Sequence, residues 1–216
     1  MEEPSPLVVG VLLCGGASRR MGFDKTQLIV YGTTMAARTA GLMRQVVVSA
    51  VEVGPGLSGL TSVREDQPGS GPLAAISAGW NAVSDDEHTG ALVVAGDLPF
   101  VSEPLLRLLV EWESSRSVVP VVDGRDQPLC ARWSRNDLAE ARELLSRGER
   151  SLRHMSRRAD VDYLDESTWG RVATWREFAD VDTPEDLRRL GLNDLDRDEE
   201  RDRGPQYGAA APEEYL

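Results

Sequence analysis

The sequence predicts an α/β fold with a mostly parallel, mixed sheet. Three observations carry this. Two continuous apolar runs, "LVVGVLLC" (7–14) and "GALVVAGD" (90–97), read as strands buried on both faces, the kind found in parallel sheets. Strand-like and helix-like segments alternate through the first half of the chain. A glycine-rich loop, "GGASRRMGFDK" (15–25), directly follows the first apolar run.

The elements follow in order. After the loop, residues 34–43 ("TMAARTAGLM") have alanine-rich helical character. "QVVVSAV" (45–51) is β-branched and reads as the second strand. "GPGLSG" is a loop, and "LTSVRED" a short strand ending in acids. Residues 71–83 read as a helix with Pro72 in its first turn, and 102–113 as another with Ser102 as N-cap. "SVVPVV" and "QPLCARW" flank "DGRD", where Asp123-Gly124 is a hairpin turn. Residues 135–148 form an amphipathic helix ending in glycine. "ERSLRHMSRR" is expected to be a further short helix, and "VDYL" and "VATWREF" late strands. Residues 183–191 are a short helix with Thr183 as N-cap and Pro184 at its first position.

Composition narrows the class. The chain has 216 residues, 41% of them hydrophobic, enough for one domain with a sizeable core. Residues 1–192 are expected to form that domain. The tail 193–216, with eight acids and three arginines, is expected to be disordered. The net charge of −12 argues against nucleic-acid binding, and no apolar run reaches membrane-spanning length. Two cysteines, Cys14 and Cys130, make no disulfide framework, so a cytoplasmic location with reduced thiols is expected.

In so acidic a chain an anionic ligand needs a local cationic pocket. Arg19, Arg20 and Lys25 could supply it, and Lys25 is the only lysine among 24 basic residues. The loop fits neither the Walker pattern nor the dinucleotide G-x-G-x-x-G spacing. Its glycines would let backbone N–H groups approach a phosphate chain, with arginine as a fork and lysine as a point charge. A solvated surface loop is the competing reading. Asp97, at the end of an apolar strand, reads equally as a Mg²⁺ ligand or as a turn aspartate ahead of Leu98-Pro99. Asp66 ends a strand just before "GSGP" and a helix N-terminus; it is either a base or ribose contact or a plain loop acid. His88 and His154 fall in no motif. The five tryptophans read as core or half-buried residues, and the arginines Arg150, Arg153, Arg157 and Arg158 as a solvated helix face or a basic wall for a phosphate.

Together, these segments resemble the molybdenum cofactor guanylyltransferases, the MobA family. "LLCGGASRRMGFDK" is similar to that family's L-x-G-G-x-S-x-R-M-G-x-D-K loop, "REDQPGSGPLAA" to its E-D…G-P-L-A-G segment, and "VAGDLPF" to its D-x-P-[FY] turn. "GRDQPLCARW" resembles its R-x-x-P-L strand, "LLSRGERSLRHM" its G-x-R-x-[LV] helix, and "FADVDTPEDL" its closing N-x-[ND]-T-P-E-[DE]-L. The matches fall in chain order between about residue 7 and residue 191. The resemblance implies a three-layer α/β/α, Rossmann-like nucleotidyltransferase fold. It implies transfer of GMP from GTP to the phosphate of the molybdenum-pterin cofactor, with Mg²⁺ and with cofactor-delivery proteins as partners.

By position, the resemblance implies that Leu13, Cys14, Gly15 and Gly16 line the nucleotide. Arg19 and Lys25 would hold the phosphates, Asp66 the guanine and Asp97 the metal, so that Arg19, Lys25 and Asp97 are the catalytic set. Ser49 stands at a base-contact position where the family has asparagine. Asp182 replaces a common asparagine at a second metal or acceptor contact. Cys14 and Ala75 replace an alanine and a glycine. Ser49 and Asp182 keep open a cofactor cytidylyltransferase, a phospholactate guanylyltransferase or a sugar-phosphate enzyme. A non-catalytic nucleotide-binding partner protein is the alternative of another class.

Overall fold

Alternation along β1 (Val8–Leu13) sets the layers. Val8 and Leu12 point to one side of the sheet and Val9 and Val11 to the other, and all four are buried. β6 (Gly90–Ala95) repeats the pattern, with Leu92 and Val94 on the first side and Ala91 and Val93 on the second. Helices α1 (Met35–Met43) and α3 (Glu103–Glu111) cover the first side through Ala36, Ala40, Met43, Leu105 and Leu109. Helices α2 (Pro72–Val83) and α4 (Arg135–Ser146) cover the second through Leu73, Ile76, Trp80, Leu138 and Ala141. This is the expected three-layer α/β/α architecture. Each large apolar side chain fully buried in it contributes about 1.5–3 kcal/mol. The structure, a computed structural model, describes residues 7–15, 28–65, 69–152, 156 and 160–192. The tail and Arg153, Arg157 and Arg158 fall outside these residues.

The main sheet adds β4 (Ala50–Val53), β5 (Thr61–Val63), β7 (Val118–Val122), β9 (Cys130–Ser134) and β10 (Asp162–Leu164), in the order β10-β7-β9-β6-β1-β4-β5. β1 pairs in parallel with β4 and β6, β4 with β5, and β10 with β7. β9 runs antiparallel between β6 and β7, so the sheet is mixed, as expected. The carboxyl ends of β5, β4, β1, β6 and β7 therefore lie along one edge. β8 (Arg125–Asp126) folds back on β7 through Asp123-Gly124, both at positive φ (49° and 71°), the conformation of a two-residue hairpin turn.

Close approach explains Gly79, in the middle of α2. A β-carbon there would lie 2.5 Å from Val11 Cγ1 and 2.9 Å from Val53 Cγ2, so only glycine lets the helix settle this deeply on β1 and β4.

Three segments differ from expectation. The second strand is Ala50–Val53, later than residues 45–51 suggest. The amides of Arg44, Gln45, Val46 and Val47 instead donate to the carbonyls of Ala40, Leu42 and Met43, satisfying the end of α1. That demand outweighs the β-propensity of the valines. "VATWREF" is not a strand: Trp175–Phe178 is a 3-10 turn started by a capping box, in which Thr174 Oγ1 accepts from Arg176 N and Glu177 returns a carboxylate to the Thr174 amide. A hairpin that the sequence does not announce, β2 (Ile29–Val30) and β3 (Thr33–Thr34), sits ahead of α1. Val30 and Met35 pack with Val181, Leu190 and Leu192 in a separate small core. That core ties the hairpin to the C-terminal helix α6 (Pro184–Leu190), whose N-cap is Thr183 as expected. The short helix α5 (Glu166–Trp169) completes the described elements.

Candidate active site

The site is built where strands end. Leu13 closes β1, and its carbonyl accepts from Gly96 N at 2.9 Å, just past the end of β6. The amide of Cys14 donates to Val53 O at 3.0 Å, so the chain leaving β1 is still tied to β4. Cys14 is buried and Gly15 exposed, which turns the start of the glycine-rich loop outward over the sheet edge. Gly54 makes this possible: a β-carbon there would lie 2.9 Å from both the carbonyl carbon and Cβ of Cys14.

Glu52 holds the neighbouring loop. It is fully buried in β4, and its carboxylate accepts from Gly56 N at 2.6 Å and Ser58 N at 2.7 Å. Burial alone would raise its pKa. Hydrogen bonds from the Ser58 side chain and from the amides of Ser58, Gly56 and Leu57 outweigh this and hold the carboxyl below its ordinary range. Its contribution to stability is therefore full above about pH 4.5, the ordinary value, and is lost as pH falls through the lowered folded-state pKa. Glu52→Gln turns an acceptor into a donor facing an amide. It is expected to cost about 1–3 kcal/mol at neutral pH. The gap from the wild type should narrow below pH 4.5; urea unfolding across pH 3–7 checks both points.

Asp97 follows β6 directly and is half-buried. It lies on the wall of a cleft of about 600 Å³, together with Asp123 and Arg125 of the hairpin turn, Trp175, Asp180 and Arg189. Pro128 and Leu129, the other residues of the expected R-x-x-P-L segment, line it as well. The carbonyl of Asp97 accepts from Val181 N at 3.1 Å, which draws Asp182, the next residue, toward the same strand end. Cys130 closes the cleft floor. Burial, with the negative Glu177 adding to it, pushes its thiol up to about 12, so it stays protonated and unreactive.

On the other side of β1, β5 ends at Val63 and leads through Arg64 and Glu65 to the start of α2. No side chain caps that helix: its N-cap is Gly71, followed by Pro72. Arg150 folds over the turn and donates to Ser70 Oγ at 3.3 Å, so the expected G-x-R-x-[LV] segment meets the expected G-P-L segment.

Of the expected site residues, Leu13, Cys14, Gly15, Asp97 and Asp182 gather at one sheet edge. Gly16, Arg19, Lys25 and Asp66 lie outside the described residues, although their described neighbours Gly15 and Glu65 reach that edge. Ser49 does not belong with them. It precedes β4, and its carbonyl accepts from Gly10 N at 2.7 Å, at the amino end of the strand. Four residues separate it from Val53, roughly 13 Å along a strand. The later start of β4 places Ser49 at the opposite end of that strand from the Cys14–Gly15 turn. Sequence reasoning passed over Glu52 and read Trp175 as a core or half-buried aromatic, whereas Trp175 is exposed on the cleft wall. The Thr174-x-x-Glu177 capping-box spacing was the available signal for Trp175, whereas nothing in the sequence marks Glu52.

A doubly covered α/β sheet, with the Cys14–Gly15 turn after β1 and a carboxylate after the adjacent β6, is the arrangement in which open α/β sheets bind ligands at the carboxyl ends of their strands. Comparison with known proteins makes the assignment specific. The profile of the MobA-like NTP transferase domain matches residues 10–162. A protein of Mycobacterium marinum named "Probable molybdenum cofactor guanylyltransferase" is 34% identical over 194 residues, covering 85% of this chain and 96% of that protein. One of the same name from Opitutus terrae is 32% identical over 196 residues, covering 84% and 96%. The crystal structure of molybdopterin-guanine dinucleotide biosynthesis protein A from Archaeoglobus fulgidus has the same fold, with a TM-score of 0.70 at 23% identity over 85% of this chain and 96% of that one. The chain belongs to the MobA-like NTP transferase family, and it is a nucleotidyltransferase. No described helix is long and apolar enough to cross a membrane.

Proposed function

We propose that this enzyme transfers GMP from GTP to the terminal phosphate of the molybdenum-pterin cofactor. An oxygen of that phosphate attacks the α-phosphorus of GTP, a new P–O bond forms, the bond to the β-phosphate bridge breaks, and pyrophosphate leaves. The observation that carries this reading is Asp97 at the end of β6, beside the Cys14–Gly15 turn and on the wall of a large cleft.

The reaction needs positioning and charge neutralisation more than proton transfer. A phosphate monoester is mostly dianionic at neutral pH, with a second pKa near ~6, so no general base is required. Neither histidine falls in a site motif, which agrees with this. Arg19 and Lys25 are assigned to the triphosphate on their place in the loop, and Asp66 to the guanine edge. The metal assigned is Mg²⁺. Among the described residues no group of three or more His, Cys, Asp or Glu side chains could hold a metal by itself. A hard carboxylate that shares the ion with substrate phosphates fits Mg²⁺, which keeps few protein ligands. Asp97 is the proposed ligand, with Asp182 a second ligand or a contact to the acceptor. Bound there, the ion would neutralise charge developing on the phosphates.

Base choice is the test. Every NTP shares the triphosphate, so discrimination falls to the pocket beyond β5. Cytosine would leave acceptors that suit the guanine N–H edge unpaired, at about 1–3 kcal/mol. Calorimetric titration with Mg²⁺ is expected to show GTP binding roughly 10- to 100-fold tighter than CTP, following that estimate. Equal or tighter binding of CTP would replace this reading with a cofactor cytidylyltransferase, which Asp182 in place of asparagine would then suit.

A further inference from the structure

Trp80, Trp133 and Trp169 are each under 8% exposed, whereas Trp175 is 49% exposed. It is not a loosely placed surface residue. The capping box of Thr174 and Glu177 fixes the turn that carries it. Phe178, three residues on, anchors the turn inward by packing edge-to-face on Trp169, with ring centres 5.1 Å apart. Arg176 anchors it sideways: its guanidinium lies 4.4 Å from the Phe100 ring centre and donates to Leu190 O at 2.8 Å. The same guanidinium stands 5.9 Å from the Trp175 ring. Neighbours on both sides thus hold the turn, and the half-exposed Trp175 lies on the wall of the cleft that Asp97 and Arg125 share.

Asp97 divides the sheet edge into two halves. The Cys14–Gly15 turn, Gly54 and the start of α2 lie over β1, β4 and β5, and that half suits the nucleotide. The cleft with Trp175 lies over β9 and β7, on the far side of β6. A second flat, charged molecule meeting the α-phosphate near Asp97 would have to enter from this side.

We infer that Trp175 is the stacking platform for the flat heterocycle of the acceptor, with Arg125 across the cleft as a cation facing the acceptor's anionic end. The inference rests on the acceptor being a pterin, as proposed above, and adds the residue that recognises the ring. An indole face takes any flat heteroaromatic ring, and such stacking is typically worth ~10-fold or more in binding. The ring sits away from the triphosphate half, so GTP binding should not depend on it.

The experiment compares wild type, Trp175→Ala and Trp175→Phe in two assays. In steady-state turnover with GTP and the molybdenum-pterin cofactor, Trp175→Ala should raise KM for the acceptor by ~10-fold or more. Trp175→Phe should restore most of that, while KM for GTP and kcat stay within about 2- to 3-fold of wild type, as expected for loss of uniform binding to one substrate. In titrations of tryptophan fluorescence with a soluble pterin monophosphate, the wild type should be quenched and Trp175→Ala should not. Unchanged acceptor KM and quenching in Trp175→Ala would overturn the inference, and so would absence of quenching in the wild type. Equal rises in both KM values would assign Trp175 a merely structural role and overturn it too. A wild type that fails to turn over the pterin cofactor but is quenched by the pterin would count against the proposed reaction and leave the stacking role supported.

Discussion

Asp97→Asn is expected to abolish most turnover while leaving the fold intact. The side chain contributes a formal charge at the point where β6 ends in the cleft, and the proposed metal shares that charge with the triphosphate. Replacing carboxylate by amide keeps the shape and removes the charge. A fall of at least ~100-fold in pyrophosphate release is expected, about 2.7 kcal/mol of transition-state stabilisation. The local structure should persist, because the amide is nearly isosteric with the carboxylate and the backbone bond from Val181 N to Asp97 O is not touched by the substitution. The melting temperature should stay within about 2 °C of wild type, less than the shift that ~1 kcal/mol brings in a domain of this size. Wild-type turnover at low Mg²⁺ would make Asp97 a turn residue only.

Arg132→Leu is the largest stability effect expected outside the site. Arg132 is buried in β9, and its guanidinium donates to four carbonyls: Val110 and Trp112 at 2.9 Å each, Ser114 at 2.6 Å and Arg116 at 3.2 Å. These are the carbonyls at the end of α3 and in the loop beyond it, which have few other buried donors to turn to. Burial lowers the arginine's pKa and Asp162 opposes this; the group stays charged. Leucine fills much of the volume but supplies no donor, so the loop must open to water or leave its carbonyls unpaired. The expected cost is about 3–5 kcal/mol, or roughly 10 °C or more in Tm. Urea unfolding reads it directly, and a loss below about 1 kcal/mol would show that the loop finds other partners.

The pattern of what was legible in the sequence has a physical reason. Strands buried on both faces announce themselves, because β1 and β6 need unbroken apolar runs. Turns with strict backbone demands do so too: Asp123-Gly124 lies where its dipeptide suggests. Position along a strand is harder to read, because it depends on where the preceding helix finishes its hydrogen bonds. The valines at 46 and 47 complete α1 instead of starting β4, and Ser49 therefore sits at the amino end of that strand, away from the Cys14–Gly15 turn. The turn that carries Trp175 escaped because "VATWREF" is rich in β-branched and aromatic residues, and the four-residue capping box that sets a turn there is a weaker signal than that propensity. Glu52 could not be recognised, since a lone acid in an apolar segment reveals no partner until the loop that returns to it is known.

The most direct measurement is a transfer assay in which purified enzyme, Mg²⁺ and the molybdenum-pterin cofactor are incubated with nucleotide labelled on the α-phosphate. Label from GTP should appear in the pterin product in step with pyrophosphate, and label from CTP should lag by roughly 10-fold or more. Transfer from CTP at an equal or faster rate, or pyrophosphate release without label in the pterin, would contradict the account.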